Sequence, residues 1–316
     1  MGQETVDSDL GDERRRVPVT TEKPYTGIAH LKHGNGKAIG TGFLVKHGGG
    51  TFLVTAAHCL WDRGKGAFKA KIHISLGRDG ECHPFGTIKK KSVDFEVPRE
   101  YKETHGRKYD YGIICLDKEK HMLDKCCAFD LEPRTDEYIE NQDLYMSGYP
   151  GIPEERRDGV PGWPPGTQWK IKLTTVTVNK RRLQYRDATT PGNSGSPVYQ
   201  LRNGRYVAHG IHTNGIDKKN TSNEAVWIDV DALMKLVKMA YTHPKKQQGC
   251  PQNRSGADMT KRNGNLVPNN PRPTSVATNT VQTRPQDPPP QPNGNAPGHR
   301  SWLSVLWHFL NQCGGR

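Results

Sequence analysis

Three residues of this sequence, His58, Asp110 and Ser194, carry the side chains needed to break an acyl bond by nucleophilic attack. Serine is a weak nucleophile at its own pKa, and it needs a base such as imidazole to accept its proton near neutral pH. The imidazole in turn needs a carboxylate on its second nitrogen, which fixes the tautomer and stabilises the charged form. We therefore interpret the three residues as nucleophile, base and orienting acid of one site.

The local sequence around each residue fits that interpretation. Ser194 lies between Gly192 and Gly195 in TTPGNSGSPVY, where a tight turn would expose the hydroxyl. His58 follows an apolar strand in TFLVTAAHCLWD, and Asp110 precedes a strand of buried character in YDYGIICL. A buried carboxylate is costly unless it is paired. Taken singly, these features also fit a core histidine, a capping carboxylate and a glycine-rich turn, and only their combination indicates catalysis.

The segments that must position these residues are short and rich in Val, Ile, Thr, Phe and Tyr. They cover 27–32, 42–45, 52–55, 71–76, 111–116, 144–148, 169–178, 197–200, 206–211 and 225–228. Helical periodicity is clear once, at Leu233, Leu236, Val237 and Ala240, before Pro244. Many short strands followed by one helix predict an all-β barrel architecture.

The C-terminal part of the chain differs in composition from the rest. The protein has 46 Lys+Arg against 33 Asp+Glu, a net charge of +13, and residues 244–316 hold nine basic and two acidic residues. The same segment contains 11 of the 23 prolines. Its few apolar residues cannot offset a backbone entropy of roughly 1–2 kcal/mol per ordered residue. We therefore expect a folded part of about 243 residues and a disordered, basic, proline-rich tail at 244–300.

Residues 301–312, SWLSVLWHFLNQ, reverse the polarity of that tail. As a helix they would form a narrow polar stripe of Ser304, His308 and Asn311 and measure roughly 18 Å, too short for a bilayer core of about 30 Å. The segment either makes peripheral contact with a membrane interface or docks on the folded domain or a partner, and the sequence leaves both readings open. In both cases we expect the tail to act as a tether.

Composition excludes several classes of protein. There is no apolar run near 20 residues, and MGQETVDSDLGDERRR lacks the apolar core of a signal peptide, so we expect a cytoplasmic or other intracellular location. Seven cysteines without a CxxC pair fit neither a disulfide framework nor a zinc site, and no metal or cofactor is expected. Short basic runs such as Lys89–Lys91 and Arg181–Arg182 are interpreted as solvated surface, and nucleic acid is not expected as a partner.

Three blocks, TAAHC, DYGIICL and GNSGSPV, resemble the signature blocks of trypsin-like serine proteases and occur in the same order. The chain is most similar to the glutamyl endopeptidase family, best known from bacteria, over roughly residues 13–241. The further matching segments are RVPVTTEKPYTGIAHL (16–31), GTGFLV (40–45), SGYPG (147–151), ATTPGNSGSPV (188–198) and GIHTNGIDKKNTSNEAVWI (210–228).

The resemblance implies two six-stranded antiparallel β-barrels of the chymotrypsin type, with His58, Asp110 and Ser194 in the cleft between them. It also implies an oxyanion hole formed by the backbone N–H groups of Gly192 and Ser194. The corresponding boundaries are a polar segment at 1–24, a protease domain at 25–243, the disordered tail at 244–300 and the amphipathic segment at 301–316. Within the domain, the barrels would span about 25–130 and 131–228, and the helix 229–241.

The resemblance also locates the pocket for P1, the substrate residue before the cleaved bond. Ala188, six residues before Ser194, would lie at its base and offers no anion to Lys or Arg. Thr189 and a neutral or protonated His212 would donate hydrogen bonds to a carboxylate, as the family does for glutamate. The preference should weaken at high pH as any protonated fraction of His212 declines. The family usually has an aromatic residue and a glycine after this histidine, whereas Thr213 and Asn214 follow here. His212 could also simply fill a strand position.

Two further departures concern Asn193 and Cys59. Trypsin-type zymogens are activated by a new N-terminus that pairs with an aspartate before the catalytic serine, and Asn193 cannot form that ion pair. Extracellular homologues often pair the cysteine after the catalytic histidine with one on the preceding strand, and residues 40–45 contain no partner for Cys59. The missing partner favours a reduced, intracellular setting.

These observations predict a serine endopeptidase that hydrolyses protein or peptide substrates after Glu, or Asp, through an acyl-enzyme, and that acts as a monomer. Two alternatives stay open. One is a catalytically inactive binding protein with a protease fold, although such proteins usually lack a triad residue and all three are present here. The other is a protease with a different P1 preference.

Overall fold

The computed structural model describes residues 13–151, 165–216 and 221–242, without the side chains of the last two residues. The disordered tail and the amphipathic segment expected at 244–316, and residues 1–12 of the polar segment, lie outside the described residues. The described strands are β1 (Arg15–Arg16), β2 (Ile28–His33), β3 (Ala38–His47), β4 (Gly50–Thr55), β5 (Trp61–Asp62), β6 (Ala67–Phe68), β7 (Lys71–Leu76), β8 (Ile88–Lys91), β9 (Phe95–Glu96), β10 (Gly112–Cys115), β11 (Asp130–Leu131), β12 (Tyr145–Gly148), β13 (Trp169–Lys172), β14 (Thr177–Asn179), β15 (Arg182–Tyr185), β16 (Pro197–Arg202), β17 (Arg205–Asn214) and β18 (Asn223–Trp227). The described helices are α1 (Ala57–Leu60), α2 (Arg99–Thr104), α3 (Asp136–Glu140) and α4 (Val230–Thr242).

The first sheet is antiparallel and runs in the order β8-β7-β2-β3-β4-β10-β9. Its strands follow the period of two that places alternate side chains on opposite faces. In β7, for example, Ile72 and Ile74 are buried whereas Lys71 is exposed. Strands β5 and β6 form a separate two-stranded ribbon after α1.

The second sheet runs in the order β1-β13-β12-β16-β17-β18-β15-β14, and β11 adds to β17 in parallel. Strand β1 pairs with β13, with Arg16 opposite Trp169, and Val17 beside it is fully buried. Residues 13–24, placed by the sequence in a polar segment outside the domain, are therefore part of it. The expected all-β architecture is present, with seven and nine strands in the two sheets. The resemblance implied six strands in each barrel, and the two-residue strands β1, β9 and β11 account for part of the excess.

Side chains from both sheets meet in a common core. Phe129 packs edge-on against Phe43 of β3, with ring centroids 5.5 Å apart, and against Tyr199 of β16 at 5.3 Å. The core also includes the buried apolar face of α4, made of Leu233, Leu236 and Val237 as the periodicity predicted. Because both sheets contribute to one close-packed interior, residues at their junction hold fixed relative positions.

Helix α4 begins one residue later than expected. The Asp229 carboxylate accepts the backbone N–H of Ala232 at 3.1 Å, which satisfies an orphan donor of the first turn. None of the described helices has both the length and the apolar character needed to cross a membrane.

Candidate active site

The His58 side chain is held by Asp110. Helix α1 follows directly from β4, and β4 pairs with β10, with Thr55 opposite Gly112. This register brings Asp110, two residues before Gly112, beside the helix. Its Oδ2 lies 2.8 Å from Nδ1 of His58, and its Oδ1 accepts the His58 backbone N–H at 2.9 Å. Asp110 is only 2% exposed, and a buried carboxylate needs a partner. The two contacts with His58 supply it.

The charge of Asp110 controls the proton affinity of His58. Burial of the imidazole is the largest single influence on its pKa and lowers it, but the Asp110 carboxylate and, after it, the Cys59 sulfur together raise the pKa by more. The pKa of His58 consequently lies well above its usual value of 6.5. A histidine in this state is a strong base once it has lost its proton, and its protonated form is stabilised by the carboxylate.

Ser194 occupies a turn that only glycines permit. Gly192 and Gly195 have φ angles of +105° and +90°, in the region that side chains rarely adopt. A Cβ at Gly192 would clash with the carbonyl oxygen of Tyr149, and one at Gly195 would clash with that of Thr41. Both glycines are therefore required by backbone conformation and by close approach.

Thr41 of β3 fastens this turn to the first sheet. Its backbone N–H donates to the Ser194 carbonyl at 2.8 Å, and its hydroxyl donates to the Gly192 carbonyl at 2.8 Å. The Ser194 carbonyl also lies 3.8 Å from Sγ of Cys59, the neighbour of His58 in the chain. The structure thus brings the Ser194 turn next to the His58–Asp110 pair. Cys59 is a buried free thiol, as its lack of a partner in residues 40–45 predicted.

The backbone N–H groups of Gly192 and Ser194 are available to a ligand. Among the described residues neither group has a hydrogen-bond acceptor, whereas the N–H of Asn193 donates to Thr190 and that of Gly195 to His212. Ser194 itself is half-buried. Two unengaged donors beside a reachable hydroxyl form an arrangement that can stabilise a developing oxyanion.

The predicted pocket residue Thr189 is buried and tied to Asn223. The Thr189 hydroxyl donates to Oδ1 of Asn223 at 2.7 Å, and that oxygen also accepts the N–H of Ile216 at 3.1 Å. The amide nitrogen of Asn223 donates to the carbonyl of Asp187 at 2.6 Å. Asn223 therefore joins three segments of the pocket region, and the proton of Thr189 is already engaged in this structure.

His212 of β17 is 1% exposed and contacts the hydroxyl of Tyr185, which lies 2.6 Å from its Nδ1. Burial, aided by the nearby charge of His58, lowers the pKa of His212 to about 3. The imidazole is therefore neutral at physiological pH. This corrects the expectation that a protonated fraction of His212 sets the pH dependence of specificity.

Several residues at this site escaped the sequence interpretation. Thr41, Tyr185 and Asn223 lie far along the chain from the residues that they hold. Thr41 and Asn223 fall within segments that match the family, but the match does not indicate which residues they contact. Arg14 is a further case, because its Nη1 donates to the Thr190 hydroxyl at 2.9 Å next to the pocket residue Thr189. For Thr41 and Asn223 the available signal was a polar residue within a matching segment, and Tyr185 and Arg14 had none.

Two other aspartates, Asp79 and Asp94, have basic partners of their own. Both carboxylate oxygens of Asp79 accept hydrogen bonds from Arg16, and Asp94 forms an ion pair with Lys90. Among the described residues no group of three or more His, Cys, Asp or Glu side chains is arranged to hold a metal ion.

The sequence profile of the trypsin-like peptidase domain matches residues 40–208, more than half of the chain. The chain belongs to the trypsin-like peptidase family. It is 30% identical over 230 residues to a glutamyl endopeptidase of Bacillus licheniformis. The aligned region covers 71% of this chain and 66% of that protein, so the chain spans slightly less than two thirds of its relative. It is 35% identical over 89 residues to a glutamyl endopeptidase of Staphylococcus aureus, which covers 28% and 22%.

Solved structures of proteases show the same fold. A Glu endopeptidase in complex with MPD superposes with a TM-score of 0.60 at 24% identity, covering 76% of this chain and all of the other. The protease Anisep from Arthrobacter nicotinovorans gives a TM-score of 0.52 at 15% identity, covering 72% and 98%. The chymotrypsin-like fold expected from the sequence is confirmed.

Proposed function

We propose that this trypsin-like family member is a serine endopeptidase. The observation that carries the proposal is the contact of Asp110 with Nδ1 of His58 beside the Ser194 turn. In the proposed reaction Ser194 Oγ attacks the substrate carbonyl while His58 accepts its proton through Nε2. The N–H groups of Gly192 and Ser194 stabilise the oxyanion, and His58 then protonates the leaving amine. Water attacks the resulting acyl-enzyme in the second half of the reaction.

The proposal is tested with a fluorophosphonate probe that reacts with activated serines. Wild type should be labelled at Ser194, and the Ser194→Ala variant should not be labelled. Ser196→Ala is a matched control, because Ser196 lies two residues away and is fully buried. Labelling that persists in Ser194→Ala would refute the assignment, and an unlabelled wild type would support the inactive binding protein instead.

For specificity, we propose that cleavage follows Glu or Asp. Burial raises the pKa of Tyr185 well above 10, so the phenol keeps its proton. We assign that proton to Nδ1 of His212 at 2.6 Å, because the other acceptor, the Met146 sulfur, lies at 3.6 Å. In a neutral imidazole this leaves the hydrogen on Nε2, which can donate to a P1 carboxylate. The glutamyl endopeptidase relatives and the absence of an acid at Ala188 support the same preference.

A library of peptides that differ only at P1 tests this preference. Glu should give the highest kcat/KM, ahead of its neutral isostere Gln and of Lys, Arg and Phe. A hydrogen-bonding site rejects an analogue that cannot pair with it far more strongly than an apolar pocket rejects a misfit. Cleavage after Phe or Lys above that after Glu would overturn the proposed specificity and leave the serine mechanism intact.

A further inference from the structure

The register of the first sheet gathers lysines that are far apart in the sequence. Lys32 of β2 lies opposite His73 of β7, and His73 lies opposite Lys89 of β8. Two residues further along these strands, Lys71 of β7 lies opposite Lys91 of β8. The intervening residues of both strands, which include Ile72 and Lys90, are buried, so these rows face outward. We call Lys32, Lys71, Lys89 and Lys91 the lysine face.

Within the described part of the chain, the side chains of this face form no ion pair with a carboxylate. Among the described residues, none of its four ammonium groups forms an ion pair within 4.0 Å, although Asp94 accepts the backbone N–H of Lys91 at 3.1 Å. Buried Lys90 forms ion pairs with Glu119 and Asp94. The nearby Glu81 is paired with Arg78. Like charges placed directly across a sheet destabilise it, so this arrangement has a cost to folding.

The positive charge of this face also lowers the pKa of His73. Its pKa lies below 6.5 because of partial burial and then because of Lys89, Lys71 and Lys32, in that order. Three ammonium groups therefore act on one side chain. A surface with this charge attracts anions over about one Debye length, roughly 8–10 Å at moderate salt.

The lysine face is linked to the His58 backbone through residues 69–71. The Lys71 carbonyl accepts the N–H of Gly34 in the β2–β3 turn at 3.1 Å. Two residues earlier, Nζ of Lys69 donates to the carbonyl of His58 at 2.8 Å. Lys69 and Lys37 also lower the pKa of His33, after its partial burial, so the positive field extends along this path.

We propose that the lysine face binds an acidic stretch of a polypeptide substrate, at a distance from the cleaved bond. This inference rests on the proposed endopeptidase function and extends it from one residue of the substrate to a longer segment. Carboxylates complement ammonium groups, and the large exposed apolar side chains of the described residues, Val19, Val93, Met122, Leu201 and Met239, lie outside the three strands of the face. Strands β2, β7 and β8 contain no Phe, Tyr or Trp side chain on which nucleobases could stack.

The test uses two peptides with the same cleavable segment and different tails. One tail consists of D-aspartates, which carry the charge and resist hydrolysis, and the other consists of D-asparagines. We expect the acidic tail, attached at the end that reaches the face, to lower KM about 10-fold with kcat nearly unchanged. The advantage should shrink as salt is raised.

The variant Lys71→Glu/Lys89→Glu should abolish this advantage and leave hydrolysis of the D-asparagine peptide unchanged. Lys125→Glu/Lys235→Glu reverses two exposed lysines on other elements and should preserve it. Fluorescence anisotropy measures the affinity of Ser194→Ala for the labelled tailed peptides. This tests the same preference without catalysis. A failure of the protease proposal is therefore separable from a failure of this one.

Equal KM and equal binding for the two tails at every attachment point would overturn the proposal. So would an oligonucleotide that binds wild type, but not Lys71→Glu/Lys89→Glu, in the absence of any effect of the acidic tail. That second result would assign the face to nucleic acid.

Discussion

The carboxylate of Asp110 binds His58 through both of its oxygens, one on the backbone N–H at 2.9 Å and one at 2.8 Å from Nδ1. The side-chain contact fixes the imidazole tautomer, and the backbone contact fixes the first turn of α1 that carries it. A single buried group therefore sets both the position of the base and its protonation state.

This arrangement predicts the pH dependence of the proposed peptidase. His58 must be neutral to accept the Ser194 proton, and its pKa lies well above 6.5. We expect kcat/KM to rise with pH through an apparent pKa above 6.5. Asp110→Asn should lower that pKa and reduce kcat about 10⁴-fold, because the tautomer is no longer fixed. An unchanged pH profile in Asp110→Asn would contradict this reading.

The same shift makes a prediction for stability. A pKa that is higher in the folded state means that the folded chain binds the proton more tightly. The contribution of the His58–Asp110 pair to the free energy of unfolding should be full below pH 6.5 and should be lost as pH rises through the folded-state pKa. Urea unfolding of wild type and His58→Gln across this range measures it, and a difference that grows with pH would be the wrong sign.

Replacing Gly192 tests the oxyanion donors. Gly192→Ala places a methyl group against the Tyr149 carbonyl at a φ of +105°. We expect the turn to shift and kcat to fall about 10²–10³-fold, the usual effect of losing one such donor. Gly36→Ala is a matched control, because Gly36 has a φ of +89° and no atom within 4 Å of the added Cβ. Its kcat should stay at the wild-type value.

Tyr185 should act as a positioning residue for specificity. Tyr185→Phe removes the hydroxyl 2.6 Å from Nδ1 of His212 and frees the imidazole to change tautomer. We expect KM for a P1 Glu peptide to rise about 10-fold, with a smaller change in kcat and little change for P1 Gln. Tyr145→Phe, on β12, should leave both values unchanged. Equal losses for Glu and Gln peptides would indicate a merely structural role.

The neutral state of His212 makes the P1 preference insensitive to pH. With a pKa of about 3, the imidazole does not titrate between pH 6 and 9 in the free protein. The ratio of kcat/KM for P1 Glu over P1 Gln should therefore stay constant over that range, although each value follows the titration of His58. A ratio that falls steeply with pH would show instead that a protonated fraction of His212 contributes to the preference.

Asn223 should contribute to stability beyond its small size. It is 1% exposed, and its removal leaves Thr189, Ile216 and the Asp187 carbonyl without their partner. We expect Asn223→Ala to lower the free energy of unfolding by about 3 kcal/mol, because unsatisfied buried groups cost about 1–3 kcal/mol each and the site can partly relax. Asn141→Ala, at an exposed position, should cost less than about 0.5 kcal/mol.

The sequence predicted those features that depend on local pattern. Leu233, Leu236 and Val237 pack inward because helical periodicity is a local property. The motifs around His58, Asp110 and Ser194 predicted a shared site because three chemically complementary types occurred together. The structure supplies the His58–Asp110 contact directly and places the Ser194 turn beside it.

Features that depend on register or on distant partners could not be predicted. Lys89–Lys91 appeared as a solvated run, yet β8 sends Lys90 inward and joins its neighbours to Lys71. Thr41 carries no catalytic chemistry, and its importance follows only from contacts to a turn about 150 residues later. The neutral state of His212 follows from burial that a single strand pattern does not reveal.

The fastening of the Ser194 turn by Thr41 has a consequence for biosynthesis. Thr41 leaves the ribosome long before Gly192 and Ser194, and the turn needs its hydroxyl and its N–H as partners. A nascent chain therefore cannot assemble the proposed hydrolytic centre until its second sheet has been made and has docked on the first. Unfinished copies of this protein would have no competent serine with which to cleave themselves or their neighbours.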